Sequence, residues 1–201
     1  MKTPLKIYTL SHKIFPCDVV KSYESMLDKI LNAPDDAMII LCPAYSFCGA
    51  NCGNFFSNEL FINKTNDCLD ALCEKTKHLD SFIAFGIAQN GENCAYLIHK
   101  GEILIEQTAL DDSVTTVMVN EQKVGLLNCA LEDMPQNAMT LKNSGCDICL
   151  YPLATNIMAG KIDKIESDLS NGRCCPCKYW LINRTLSLAQ LSSSLICSNN
   201  S

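Results

Sequence analysis

Apolar residues recur along this chain with two different periods. In 18–33, DVVKSYESMLDKILNA, the residues Val20, Tyr23, Met26, Leu27, Ile30 and Leu31 fall on one stripe of a 3.6-residue repeat, which predicts an amphipathic helix. A second helix is expected over about 63–78, within SNELFINKTNDCLDALCEKTKHLD, and a third over about 136–144. Between them lie short, continuous apolar runs. LKIYTL (5–10) reads as a first strand, and AMIILCP (37–43) has the uninterrupted character of a strand covered on both faces. SFIAFGIAQ (81–89) is a strand followed by Asn90-Gly91, a strong hairpin signal. NCAYLIHKGEILIEQ (93–107) predicts two strands joined at Lys100-Gly101, and VTTVMVNEQKVGLLNC (114–129) two more joined at Asn120-Glu121. CDICLYPLA (146–154) and SLICSN (194–199) read as further strands, and KYWLINRTLSLAQLS (178–192) as a long late helix. Helices alternate with buried strands and hairpins cluster in the middle, the pattern of an α/β layered domain with mixed sheet.

Composition fits one such domain over 1–201, because 201 residues with 48% apolar content are enough for a sizeable core and no internal boundary forces a second. A net charge of −6 argues against nucleic acid as a partner, since phosphate binding needs a basic face. No stretch approaches the roughly 20 apolar residues that span a bilayer, and the apolar patch at the start is too short for a secretory signal. These features give the expectation of a cytoplasmic protein with neither membrane nor nucleic acid as a partner. The chain has 14 cysteines, yet many lie inside apolar runs, as Cys42, Cys146, Cys149 and Cys197 do, so they read mostly as free core thiols rather than a disulfide scaffold.

The segment KVGLLNCALEDMP (123–135) carries the candidate chemistry. An apolar strand drives into Cys129, where either a nucleophile or an inert core thiol would sit. The order IILCPAYSFCG, NCAYLIHKGEIL, KVGLLNCALEDMP, GCDICLYPLAT resembles the nitrilase superfamily of carbon–nitrogen hydrolases. GANCGNFF (49–56) brings it nearest to the glutaminase domain of glutamine-dependent NAD synthetases. The resemblance runs along nearly the whole chain, and it implies a four-layer α-β-β-α sandwich, shortened here at the C-terminus. It also implies a cysteine thiolate attacking an amide or nitrile carbon, a glutamate general base and a lysine beside the oxyanion.

Carried over by position, the nucleophile is Cys129. The glutamate should follow the proline of the first motif, but PAY places Ala44 there. The lysine should follow GEIL, where GEILIEQTALDDS offers Ala109 and no lysine stands between Lys100 and Lys123. Without base and cation, each worth ~10²–10⁴ in rate, the usual amidase reaction is expected to be nearly abolished. The leading expectation is a carbon–nitrogen hydrolase-like binding or scaffold module. The alternative is a Cys129-dependent amidase or acyl-transfer enzyme acting on a small amide such as glutamine with a base from elsewhere. Glu132 and Asp133 read as solvated acids at a helix start, favoured by its dipole.

Remaining motifs add little chemistry. RCCPCKYW groups Cys174, Cys175 and Cys177, and Cys146 and Cys149 have C-x-x-C spacing, but the latter pair points to opposite faces of a buried strand. No metal site is expected, and the Cys174 cluster reads as loop thiols open to redox chemistry. Glycines in GIAQNGENC open no helix, so no phosphate-binding cofactor is expected. His12, His78 and His99 lie near predicted turns and helix ends and read as surface residues. Arg184 and Trp180 fall on the late helix, whose apolar stripe, with Leu181, Leu188 and Leu191, is expected to lie near the interface of a homodimer.

Overall fold

Strands form where apolar runs need cover on both faces. The computed structural model describes residues 5–50, 52–89, 92–108, 115–128, 134–155, 179–186 and 195–198. Its elements are β1 (Ile7–Thr9), α1 (Val19–Leu31), β2 (Ile39–Leu41), a short 3-10 helix (Gly53–Ser57), α2 (Glu59–Thr76), β3 (Phe82–Gln89), β4 (Glu92–His99) and β5 (Glu102–Thr108). They continue with β6 (Thr116–Val119), β7 (Gln122–Leu126), α3 (Met134–Asn143), β8 (Ile148–Thr155), β9 (Tyr179–Leu186) and β10 (Leu195–Ser198). The first sheet has the order β1-β2-β3-β4-β5, the second β10-β9-β8-β7-β6. Parallel pairs β1–β2 and β2–β3 are extended by an antiparallel meander through β4 and β5, and the second sheet mixes both senses likewise.

Period-2 alternation divides the core into layers. Ile39, Leu41, Ala84, Ala95 and Leu97 of the first sheet meet Val124, Leu126, Ile148 and Leu150 of the second in one buried cluster. Their sequence neighbours Ile40, Ile83, Phe85, Tyr96 and Ile98 face the other way, onto Tyr23, Met26 and Ile30 of α1 and Leu69 and Leu72 of α2. On the far side, α3 packs so tightly on β7 that a Cβ at Gly125 would stand 2.5 Å from Leu141 Cδ2. The succession of layers is therefore helices, sheet, sheet, helix, the expected four-layer mixed α/β sandwich.

Three local expectations are corrected. The late helix is a strand. Tyr179–Leu186 pairs with β8 in parallel register from Ile148↔Tyr179 to Thr155↔Leu186, so Trp180, Leu181 and Arg184 lie in a sheet. YWLINRTL mixes aromatic and β-branched residues, and pairing to a buried strand overrides its helical spacing. Leu188 and Leu191 lie outside the described residues, and the stripe proposed for a dimer interface is not a helix face.

The α1 stripe is also rotated. Val20 is 36% and Leu31 45% exposed, whereas Ser22 is buried. Ser22 can hide because its hydroxyl accepts from Phe15 N (2.9 Å) and donates to Phe15 O (3.1 Å). Finally, α2 begins at Glu59 rather than near 63. Asn58 caps it by accepting from Phe61 N, and buried Thr65 and Thr76 donate to the carbonyls of Phe61 and Leu72. Polar residues satisfied within their own helix blur an apolar period without breaking it.

Leu72 and Leu60, both on α2, set the contrast between core and surface. Leu72 is fully buried and Leu60 is 79% exposed. Leu72→Ala is expected to cost about 2–5 kcal/mol in urea-induced unfolding, through lost transfer energy and an added cavity. Leu60→Ala should stay within about 0.5 kcal/mol, measured the same way.

Candidate active site

The C-terminal ends of β2 and β7 lie at one end of the sandwich, where α/β sheets commonly hold their ligands. Beyond β2, segment 42–49 is pinned to β3 by backbone bonds: Cys42 N donates to Ala84 O (2.7 Å), Ser46 N to Gly86 O (2.7 Å) and Gly86 N to Pro43 O (3.1 Å). Ser46 Oγ closes the turn by donating to Pro43 O at 2.6 Å. Ala44 sits in this rigid turn, 3% exposed. A Cβ at Gly86 would lie 2.9 Å from Ala44 Cα and 2.8 Å from Asn93 Oδ1, so glycine is what lets β3 pass this close. Position 44 thus presents a buried methyl.

Asn93, at the start of β4, and Asn128, just after β7, join the two sheets. Asn93 Nδ2 donates to Asn128 Oδ1 (2.6 Å), and Asn128 Nδ2 donates back to Asn93 O (2.8 Å) and to Gln107 O (2.8 Å). Tyr45 N completes the set by donating to Asn93 Oδ1 at 3.4 Å. Asn128 is 6% exposed, and both of its amide protons and its oxygen are used. Gln107 falls on the face of β5 that Ile105 presents to the second sheet. Its Oε1 is buried without a hydrogen-bond partner among the described residues.

Tyr45 borders this end in a left-handed conformation (φ 51°), which a non-glycine residue adopts at a cost of about 1–2 kcal/mol. Its ring stacks on Phe56 at 5.6 Å, and its carbonyl accepts from Cys48 N (3.1 Å) and Gly49 N (2.8 Å). Burial pushes its phenol up, with the Cys48 thiol and the Glu92 carboxylate adding to the effect. Behind the turn, His12 corrects the surface expectation: it is 9% exposed, and its Nε2 lies 2.8 Å from Ser46 O. That carbonyl can only accept, so Nε2 carries the proton. Burial holds the imidazole below 6.5, with the Ser46 carbonyl pulling the other way. His99 is half-buried and stacks on Phe82 at 4.0 Å, while His78 is exposed as expected.

Of the residues expected to carry chemistry, Ala44 is placed at this end. Cys129, Ala109, Glu132 and Asp133 lie outside the described residues, as do Cys174, Cys175 and Cys177. Cys129 follows Asn128 directly in sequence. Asn93, Asn128, Gln107 and Tyr45 escaped the sequence reading, because lone amides and a turn tyrosine have no spacing signature. Asn128 directly precedes Cys129 at the polar end of an apolar run, and that placement is the signal the sequence offers. A concavity of about 530 Å³, walled by Asp35, Asp36, His78, Asp80 and Phe82, lies at the opposite end of the strands.

Two substitutions test this arrangement. Asn128→Asp turns a carboxylate oxygen toward the carbonyls of Asn93 and Gln107, and should cost about 2–3 kcal/mol in denaturant unfolding at neutral pH. His12→Gln keeps a donor for Ser46 O but cannot titrate. In the parent chain the folded imidazole binds its proton less readily than the unfolded one. Its contribution is therefore full above the unfolded value of about 6.5 and is lost as pH falls through that value toward the lower folded one. The melting temperature of the parent should drop on acidification from about pH 7 to about pH 5, and His12→Gln should drop less.

Against known proteins, no family model matches the sequence, and no curated protein matches it at a significant level. Solved structures do. An amidase from Nesterenkonia sp. superposes with a TM-score of 0.77 at 12% identity, covering 98% of this chain and 84% of that one. A variant of the Nesterenkonia sp. AN1 amidase, solved with the acetamide moiety of fluoroacetamide added covalently at its active-site cysteine, gives 0.78 at 13% identity, covering 96% of this chain and 82% of that one. The glutamine-dependent NAD(+) synthetase from Cytophaga hutchinsonii gives 0.70 at 17% identity; the match covers 96% of this chain but only 37% of that protein. The layers, the sheet order and these superpositions together establish that this chain has the fold of the nitrilase-superfamily amidases.

Proposed function

We propose that this chain is a carbon–nitrogen hydrolase-like module that binds a small amide-bearing ligand without turning it over by the usual Glu-Lys-Cys chemistry. The observation that carries the reading is Ala44. Where the resemblance implies the base, this residue is a buried methyl close to Gly86 in a turn held by backbone bonds. A thiol with no base and no cation beside it is a few per cent thiolate at neutral pH and gains no oxyanion stabilisation. No lysine stands between Lys100 and Lys123 to supply the cation. The paired amides of Asn93 and Asn128 and the buried, unpartnered Oε1 of Gln107 make this end of the sandwich polar. Pairing of two copies belongs to the same reading. Its support is the exposed apolar side chains of the edge strands, Met118 on β6 and Leu104 on β5, rather than a late helix.

The second reading is a Cys129-dependent amidase or acyl-transfer enzyme acting on a small amide such as glutamine, with a base drawn from elsewhere. Ammonia release from glutamine, asparagine and simple aliphatic amides separates the two. The binding module should release ammonia at the buffer rate, some ~10⁴-fold or more below a complete triad, and Cys129→Ala should leave that rate unchanged. Release above background that disappears in Cys129→Ala would establish the amidase instead.

A further inference from the structure

Two buried thiols share one carbonyl oxygen beside the Tyr45 turn. Cys48 Sγ lies 3.3 Å from Gly49 O and Cys52 Sγ 3.5 Å from the same oxygen, so both thiols have that carbonyl as an acceptor. Cys52 Sγ also lies 3.2 Å from Cys48 O, which places it against the Cys48 residue itself. Two sulfurs held on one oxygen at these distances are neighbours. Gly49 lets the chain turn back between the two cysteines, taking a left-handed φ of 82° that a side chain would disfavour. The pair is held from both sides, since Cys48 N donates to Tyr45 O and Phe55 N to Cys52 O, each at 3.1 Å. Cys48 and Cys52 are 1% and 4% exposed, and both are free thiols.

We infer that Cys48 and Cys52 are a modification site at which hydrogen peroxide converts two thiols into one disulfide within the chain. Burial selects the oxidant by size. Hydrogen peroxide is scarcely larger than water, whereas a disulfide of the glutathione type must bring a sulfur and its bulky substituents up to the attacking thiolate. The more exposed Cys52 reacts first. Its thiolate attacks one peroxide oxygen, the O–O bond breaks, and the departing hydroxide takes up the proton the thiol released, leaving a sulfenic acid and one water. The Cys48 sulfur then attacks the Cys52 sulfur, the S–O bond breaks, and hydroxide leaves with the Cys48 proton as a second water. Two thiols are oxidised and one peroxide is reduced to two waters. Burial pushes the Cys52 thiol up to about 11, which makes the first step the slow one, and the shared position of the sulfurs hastens the second.

The bond has a structural consequence at the candidate site. Cys52 caps the 3-10 helix that carries Phe56, and Phe56 stacks on Tyr45. Cys48 supports the same residue from the other side through its bond to the Tyr45 carbonyl. Oxidation removes both S–H donors from Gly49 O and ties these two supports of Tyr45 together covalently, so the thiol state bears on the shape of the site. The pairing does not depend on whether that site turns over an amide.

Differential alkylation of the full chain tests this. Folded protein is treated with graded hydrogen peroxide and acid-quenched, its free thiols are blocked with iodoacetamide in denaturant, and it is then reduced and labelled with N-ethylmaleimide. The peptide carrying the second label on both Cys48 and Cys52 should rise from a trace without peroxide to the major form at high peroxide. The same concentrations of oxidised glutathione should leave both residues carrying the first label. Cys48→Ser should stop the double label and leave a Cys52 sulfenic acid that dimedone traps, whereas Cys17→Ser should change nothing. If Cys48→Ser fails to fold by circular dichroism, Cys48→Ala replaces it. Cys48 and Cys52 staying free at every peroxide concentration, either one linking to Cys17 or another cysteine, or equal oxidation by oxidised glutathione would overturn the inference.

Discussion

Two side-chain amides bear on everything at the candidate-site end of this molecule. The sheets meet through an apolar layer, which attracts without direction and leaves their relative slide weakly specified. Asn128 removes that freedom. Its amide bonds to the backbones of β4 and β5 and to the side chain of Asn93, so each sheet is positioned against the other to within hydrogen-bond tolerance. A buried amide left unpaired would cost about 1–3 kcal/mol, and this penalty is what makes the docked arrangement specific. The Tyr45 turn is drawn into the same set through Asn93, and with it the position of Ala44.

The layers themselves were readable from sequence, because burial on both faces has a direct signature. AMIILCP and SFIAFGIAQ are apolar throughout because alternate residues feed two different cores, Ile39 and Leu41 toward the second sheet and Ile40 toward the helices. The hairpins were equally legible, since Lys100-Gly101 and Asn120-Glu121 take the paired left-handed conformations that tight turns require. Legibility failed where tertiary pairing outweighs local spacing. Nothing within KYWLINRTL announces β8 as its partner, and the apolar spacing of the stretch suits a helix as well as a strand.

The candidate site was legible only in its negative part. An alanine after Pro43, where the resemblance implies a carboxylate, is plain in the letters, and the structure adds that its methyl is enclosed. The amides of Asn93 and Gln107 on two strands and of Asn128 just beyond a third become one cluster only when two sheets are docked. His12 was misread for a related reason. Its partner, the Ser46 carbonyl, is a backbone group 34 positions away, and backbone acceptors leave no trace in composition.

The different make-up of the two sheets has a kinetic side. In the first sheet, β3, β4 and β5 follow one another as a meander, so their pairing closes short loops of chain. In the second, β7, β8 and β9 pair in parallel, and each return must carry the chain back across the sheet. Loop-closure entropy and contact order both favour the meander as the earlier structure. The first sheet then offers a formed apolar face, Ala84, Ala95 and Leu97, on which the slower parallel strands can assemble. On this order the Asn128 bridge is among the last contacts made, and the functional end is completed only when the two halves of the chain have met.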